Sequence, residues 1–233
     1  MGKRVCPLCK SKIKSFIPFR QRENAKCPDC GAVERHRALW LYFKYKAKIF
    51  SDREYTNGYK LLHFAPEAAF YTIFKSMKNI DYYPVDIDPT KTEIREIIDI
   101  QSINYQDEMF DIIICNHVLE HISCDYTAMN DLHRVLKENG AAYITVPVFN
   151  IEKTIEDSSY NTPDLRLQHY GHKAHKRMYG KDFPHKLRST GFLVEEINMI
   201  EGLTGDELYR YGLNTGGRQP LYKCTINMEI KNG

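Results

Sequence analysis

The 233-residue chain contains no long hydrophobic run, no internal repeat and no low-complexity segment. A membrane-spanning helix needs about 20 apolar residues in succession, and no stretch approaches that length. The start, MGKRVCPLCK, is charged but has no apolar run behind it, so it does not read as a secretory leader. These absences give the expectation of a cytoplasmic protein without membrane contact. Neither sign of charge dominates: 33 Lys and Arg against 30 Asp and Glu leave a net +3. That excess is too small to make nucleic acid or an anionic surface the main partner. Hydrophobic content of 42% and charged content of 27% are those of globular material, enough for one α/β domain and a small appendage.

Residues 1–31 lack the apolar side chains for a core of their own. What they have is cysteine. Cys6, Cys9, Cys27 and Cys30 crowd this stretch, whereas Cys115, Cys124 and Cys224 are scattered and read as inert, largely apolar side chains. C-P-L-C, seventeen residues, then C-P-D-C-G gives two knuckles, each aiming two thiolates at one ion. Four sulfurs leave no open position, so the expected Zn2+ is structural, with binding supplying folding free energy on the order of 10 kcal/mol. A ribbon of this kind serves nucleic-acid binding, protein contact or bracing, and its sequence does not choose among them.

After the cysteines, Glu34 to Phe50 is aromatic-rich and helical in spacing through Leu39, Tyr42, Phe43 and Lys46. From residue 59 short apolar runs alternate with helical stretches, the pattern of a parallel sheet made of βαβ units. Strands are expected near 60–64, 81–86, 95–99, 110–115 and 141–146, and helices near 67–78 and 125–138, with Asn139-Gly140 as the C-cap of the latter. Lys181 to Ser189 reads as a further helix, and 192–199 and 221–230 as the last two strands, antiparallel. The domain reading is a zinc ribbon over 1–33, a helical connector over 34–58 and a Rossmann-like domain over 59–233 with an insertion at about 149–180.

FDIIICNHVLEHI followed by DLHRVLKENGAAYITVPV resembles the class I S-adenosylmethionine-dependent methyltransferases of the small-molecule, type 11-like branch. The likeness is continuous over 110–148 and reaches, more thinly, from about 59 to 200, with YYPVDIDP and IIDI matching the second and third strands. It implies a Rossmann-like methyltransferase fold, mostly parallel with an antiparallel last strand. In such a sheet the ligand lies across the carboxyl ends of the strands. The resemblance therefore implies that Asp86 accepts the ribose hydroxyls, Asp99 and the Ile100 backbone read the adenine, and Asn116 and His117 line the methionine end. The family's glycine-rich first loop is here LLHFAPEAA, where His63, Phe64, Ala65 and Glu67 take the cofactor-facing positions and Ala65 and Glu67 stand in place of glycines. Glu67 is the candidate partner of the methionine ammonium. The bland alternative for Asp86 and Asp99 is that they cap loops; Glu120 and His121 read as supports of the turn, and Cys115 as core.

Methyl transfer from a sulfonium is an in-line displacement that chiefly requires alignment of donor and acceptor. The long segment 149–180 carries His169, His172 and His175; His172 or His175 is the candidate general base. Arg166, His169, Lys173, Arg177 and Tyr179 are candidates for holding an anionic or polar substrate, against the alternative of a solvated basic loop. A second metal site in the trio His169, His172 and His175 is the weaker reading, since no acidic residue lies beside it at ligand spacing. The expected activity is O-methylation of a small polar metabolite or glycan. Two rivals stand: an RNA methyltransferase gripping nucleic acid with the ribbon, although Asn116-His117-Val118-Leu119 lacks the N-P-P-aromatic sequence of adenine or glutamine amino-group methyltransferases, and a noncatalytic zinc-dependent binding protein.

Overall fold

A computed structural model describes residues 3–47, 49–50, 58–214 and 220–226. The chain divides into two compact units. One comprises Met1–Gly58, Glu67–Ile80 and Ile197–Leu221; the other comprises Tyr59–Pro66, Asp81–Glu196 and Tyr222–Gly233.

In the first unit two short antiparallel pairs make the cysteine module: β1 (Arg4–Val5) with β2 (Lys12–Ile13), and β3 (Ile17–Phe19) with β4 (Arg22–Lys26). The expected connector helix forms as α1 (Glu34–Leu41) and runs on as a wider π-helical turn over Tyr42–Ala47; Lys48 and residues 51–57 lie outside the described residues. Trp40, Phe43 and Phe50 pack with Phe70 and Phe74 of α2 (Ala68–Ser76). Aromatic spacing thus did mark a buried face. Arg37 is fully buried, where it replaces water with four carbonyls: Nη1 donates to Ala25 and Ala32 at 2.8 Å each, Nε to Tyr211 at 2.7 Å and Nη2 to Gly212 at 2.9 Å. Its guanidinium also lies 3.9 Å from the Phe16 ring centre.

The second unit is built on a sheet of seven strands. They are β5 (Tyr59–Phe64), β6 (Ile80–Asp86), β7 (Glu96–Ile97), β8 (Phe110–Asn116), β9 (Leu136–Thr145), β10 (Phe192–Asn198) and β11 (Pro220–Ile226), in the order β10-β11-β9-β8-β5-β6-β7. The pairs β5–β8, β8–β9 and β6–β7 are parallel, and β11 runs antiparallel to β9, the mixed topology expected for the last strand. The expected strand over 221–230 is described only to Ile226. Runs such as Ile112-Ile113-Ile114 are buried on both sides, as central parallel strands must be. Its helices include α3 (Asp125–Val135), α4 (Pro163–Tyr170) and α5 (Phe183–Arg188), while α6 (Gly205–Arg210) belongs to the first unit.

One boundary needs correction. Helix α3 stops at Val135, and Asn139-Gly140 lies inside β9 rather than capping a helix. Gly140 is there for space: a Cβ would meet Leu136 Cδ1 at 2.7 Å and the carbonyl oxygens of Asp111 and Lys137 at 3.0 Å. A glycine demanded by close backbone approach and one demanded by a left-handed cap look alike in sequence.

Candidate functional site

Parallel pairing puts the carboxyl ends of several strands on one edge. Cys115 is in register with Phe64, Asn116 with Thr145, and Asp86 with Ile97. The Ala65 amide donates to the Val85 carbonyl at 2.9 Å, bringing the ends of β5 and β6 side by side. The Ile98 amide donates to the Asp86 carbonyl at 3.0 Å, which carries the chain directly into Asp99 and Ile100. Ala65, Asp86, Asp99, Asn116 and His117 therefore follow adjacent strands at the same edge.

Each is fixed locally. Asp86 Oδ1 accepts the Asp88 amide at 3.0 Å, and Asp99 Oδ1 accepts the Gln101 amide at 2.9 Å, so both carboxylates are oriented by the chain turning back on itself. Asn116 Oδ1 accepts from the Thr145 hydroxyl at 3.1 Å, and its Nδ2 is buried without a hydrogen-bond partner. His117 and Ala65 have left-handed backbones, φ 54° and 48°, a strained state for residues with a Cβ. The Ile100 side chain is in the core.

The first loop departs from expectation at His63. That imidazole is fully buried, with Nδ1 3.0 Å from the Tyr82 hydroxyl. It has no exposed surface, because β5 is a central strand covered on both faces. Phe64 is likewise buried in the core. Glu67 falls in the first unit, where it precedes α2 and its Oε1 stands 3.4 Å from His36 Nε2.

The segment 149–180 is ordered by internal bonds that sequence reasoning missed. Arg177, taken as a substrate ligand, spends all five N–H groups inside the protein: Nη1 on the carbonyls of Leu119 at 2.6 Å and Ile122 at 2.9 Å, Nη2 on Ser123 at 3.0 Å and Glu156 at 2.7 Å, and Nε on Glu156 at 3.0 Å. Burial opposes its charge, but the Glu156 hydrogen bonds and the nearby acidic groups outweigh it and hold the guanidinium above its ordinary range. Tyr179 is also fully buried, donating to Asp125 Oδ2 at 2.9 Å. Both are corrected from substrate contacts to clamps on the turn Leu119–Ser123. His169 stacks flat on Tyr160, ring centres 3.8 Å apart, away from the other two histidines of its run. Arg166 donates to the carbonyls of Tyr160 and Asn161.

His172 and His175 do come together, with ring centres 4.5 Å apart, and the third member is His121, 4.8 Å from His175 and 5.7 Å from His172. Burial pushes the His175 imidazole down to about 4, so it is neutral at physiological pH. Glu120 bridges this group to the strand edge: Oε1 lies 3.1 Å from His117 Nδ1 and 4.0 Å from His121 Nε2. Burial works against its charge, but the His117 hydrogen bond outweighs it and keeps the carboxyl below the usual range.

The four cysteine sulfurs lie within 4.8 Å of one another, with Cys6–Cys30 at 3.6 Å and Cys9–Cys27 at 3.8 Å. Sulfurs bound at about 2.3 Å around a tetrahedral ion are about 3.8 Å apart, so the set fits a closed four-thiolate centre. The two knuckles share one backbone plan. Lys10 and Gly31 both adopt φ near +65° to +75°, at 63° and 73°, and each donates its amide to the first cysteine carbonyl, Cys6 at 2.8 Å and Cys27 at 3.1 Å.

Residues 64–144 match a family model described as a methyltransferase domain. Over that stretch, about a third of the chain, the sequence is similar to the methyltransferase family. The match runs from the last residue of β5 to Ile144 in β9 and so contains Ala65, Asp86, Asp99, Asn116 and His117. A curated relative, an uncharacterized protein of Methanocaldococcus jannaschii, is 29% identical over 105 residues, covering 43% of this chain and 44% of that relative, less than half its length. Among solved structures, the cyclase SpnF superposes with a TM-score of 0.53 at 13% identity, covering 87% of this chain and 86% of that one. Haemonchus contortus phosphoethanolamine N-methyltransferase 2 bound to S-adenosyl-L-methionine gives 0.53 at 12% identity, covering 82% and 52%. At such identities the likeness is one of fold, and the mostly parallel seven-stranded sheet is Rossmann-like.

Proposed function

We propose that the protein is an S-adenosylmethionine-dependent methyltransferase that O-methylates a small polar metabolite or glycan hydroxyl. The observation that carries this reading is the shared edge on which Asp86, Asp99 and Asn116 follow neighbouring strands. A carboxylate at the end of β6 suits the two ribose hydroxyls, Asp99 the adenine amino group, and Asn116 with His117 the methionine end. The buried, unpartnered Asn116 Nδ2 is the kind of donor that a ligand oxygen satisfies. In this reading Ala65 completes the first loop, Cys6, Cys9, Cys27 and Cys30 hold a structural Zn2+ in a ribbon over 1–33, and 34–58 joins it to the domain over 59–233.

When bound, S-adenosylmethionine would supply an electrophilic methyl group; Asp86, Asp99 and Asn116 would hold it, and His172 or His175 would take the proton of an acceptor hydroxyl aligned with that methyl. The protein's share is alignment, up to about 7–11 kcal/mol of barrier when the reacting atoms are well placed. Calorimetry with S-adenosylmethionine tests the reading: one adenosyl equivalent bound, with matching thermal stabilisation, is expected. Absence of both would leave the binding-protein alternative in its place.

A further inference from the structure

The histidine cluster joins two segments far apart in the chain: His121 from the turn after β8, and His172 and His175 from the segment between β9 and α5. Three imidazoles this close are unusual without a reason. Each offers one ring nitrogen within 4.8 Å of the other two. Nitrogens bound at about 2.0–2.1 Å around a tetrahedral ion are about 3.4 Å apart, little more than 1 Å closer than the bound seen here.

We propose that His121, His172 and His175 form a binding site for one divalent transition-metal ion of the zinc or cobalt type. The arrangement around them is that of a ligand set with its outer support in place. The His121 Nδ1 faces the Ala174 carbonyl at 3.2 Å, so that nitrogen carries the proton and donates, leaving the Nε2 lone pair for an ion. His175 Nδ1 is buried and has no hydrogen-bond partner, an orphan that a cation satisfies. His172 Nδ1 accepts the Ala174 amide at 3.2 Å, an exposed bond that coordination would exchange. Glu120 supplies the charge. Its Oε2 is buried and unpartnered, and its Oε1 lies 4.0 Å from His121 Nε2, an acidic residue next to His121 in the chain that the fold brings to His172 and His175.

The backbone is braced to keep the two halves in place. The Lys176 amide donates to the Glu120 carbonyl at 2.7 Å, and the Arg177 guanidinium holds the carbonyls of Leu119, Ile122 and Ser123. Three neutral nitrogen ligands differ from four thiolates in leaving a coordination position open, the mark of a site that takes an exogenous oxygen rather than one that only supports folding. This inference rests on the histidines alone and does not depend on the strand edge binding an adenosyl group; it replaces the general-base role of His172 and His175, because a metal-bound imidazole has no free lone pair for a proton.

Cobalt separates the two centres, because thiolate coordination gives intense charge-transfer absorption and imidazole coordination does not. The full chain, with its cysteine site first filled by one equivalent of zinc, is titrated with Co2+ in the absence of any methyl donor. Wild type is expected to bind one further equivalent with weak visible bands and no thiolate charge transfer. His172→Ala/His175→Ala, and separately His121→Ala, should lose that equivalent while keeping the cysteine-site metal and the far-ultraviolet circular dichroism; His169→Ala should keep both equivalents. No second equivalent in wild type, or an undiminished one in both the double variant and His121→Ala, overturns the proposal.

Discussion

Arg177 Nη1 donates to the Leu119 carbonyl across 2.6 Å, tying the long segment after β9 to the turn that follows β8. The same guanidinium meets Ile122, Ser123 and Glu156, so one side chain stands where a stretch of backbone pairing would otherwise be needed. Removing it leaves three carbonyls and a carboxylate with unmade bonds. Arg177→Met should cost about 3–5 kcal/mol of unfolding free energy, read by urea denaturation, and Arg177→Lys should recover only a minor part, since an ammonium cannot match the planar fork. A loss below about 1 kcal/mol would mean that the clamp is dispensable.

Among the described residues six with side chains have left-handed backbones, and for two of them a glycine stands at the matching position elsewhere. Lys10 at φ 63° sits where the second knuckle has Gly31, and Ala65 at φ 48° sits where the family's first loop has glycine. Relief of left-handed strain is worth about 1–2 kcal/mol, partly offset by the greater freedom of glycine in the unfolded chain. Lys10→Gly and Ala65→Gly should each therefore raise stability by up to about 1 kcal/mol; a lower melting temperature in either would show that the side chain contributes more than its backbone costs.

The cysteine module has little core to fall back on. Cys27→Ser, or a strong chelator on the wild type, should expose residues 3–33 to limited proteolysis, because the binding free energy of a structural ion is folding free energy. Cleavage rates unchanged by chelation would exclude a metal from that role.

Asp86 offers the sharpest test of cofactor placement. Two hydrogen bonds from ribose to a carboxylate, each about 1.5–3 kcal/mol, correspond to at least a hundredfold in affinity. Asp86→Ala should therefore lose S-adenosylmethionine binding in calorimetry while its melting curve stays close to wild type, since the carboxylate is half-buried and spends one oxygen on the Asp88 amide. Affinity within a few-fold of wild type would remove Asp86 from the ribose.

Much was legible in the sequence because it depends on local rules. Apolar runs and βαβ alternation gave the central strands and their order of appearance, and two CxxC knuckles gave the sulfur cluster. The helices α4 and α6 passed unread although their starts are marked, by Thr162-Pro163 with the Thr162 hydroxyl accepting the Leu165 amide, and by the Thr204–Glu207 capping box.

Other features could not be read along the chain. His63 sits in an apolar strand and Arg177 and Tyr179 in a polar segment, yet all three are enclosed; burial of a polar group depends on whether distant carbonyls and hydroxyls converge on it, which only the packed fold decides. The third histidine is the same case. Sequence spacing set His169 beside His172 and His175, but the fold stacks His169 on Tyr160 and brings in His121 instead. Local periodicity determined which residues make strands and knuckles; the tertiary structure decided which side chains meet, because contacts between remote segments are fixed by packing and not by distance along the chain.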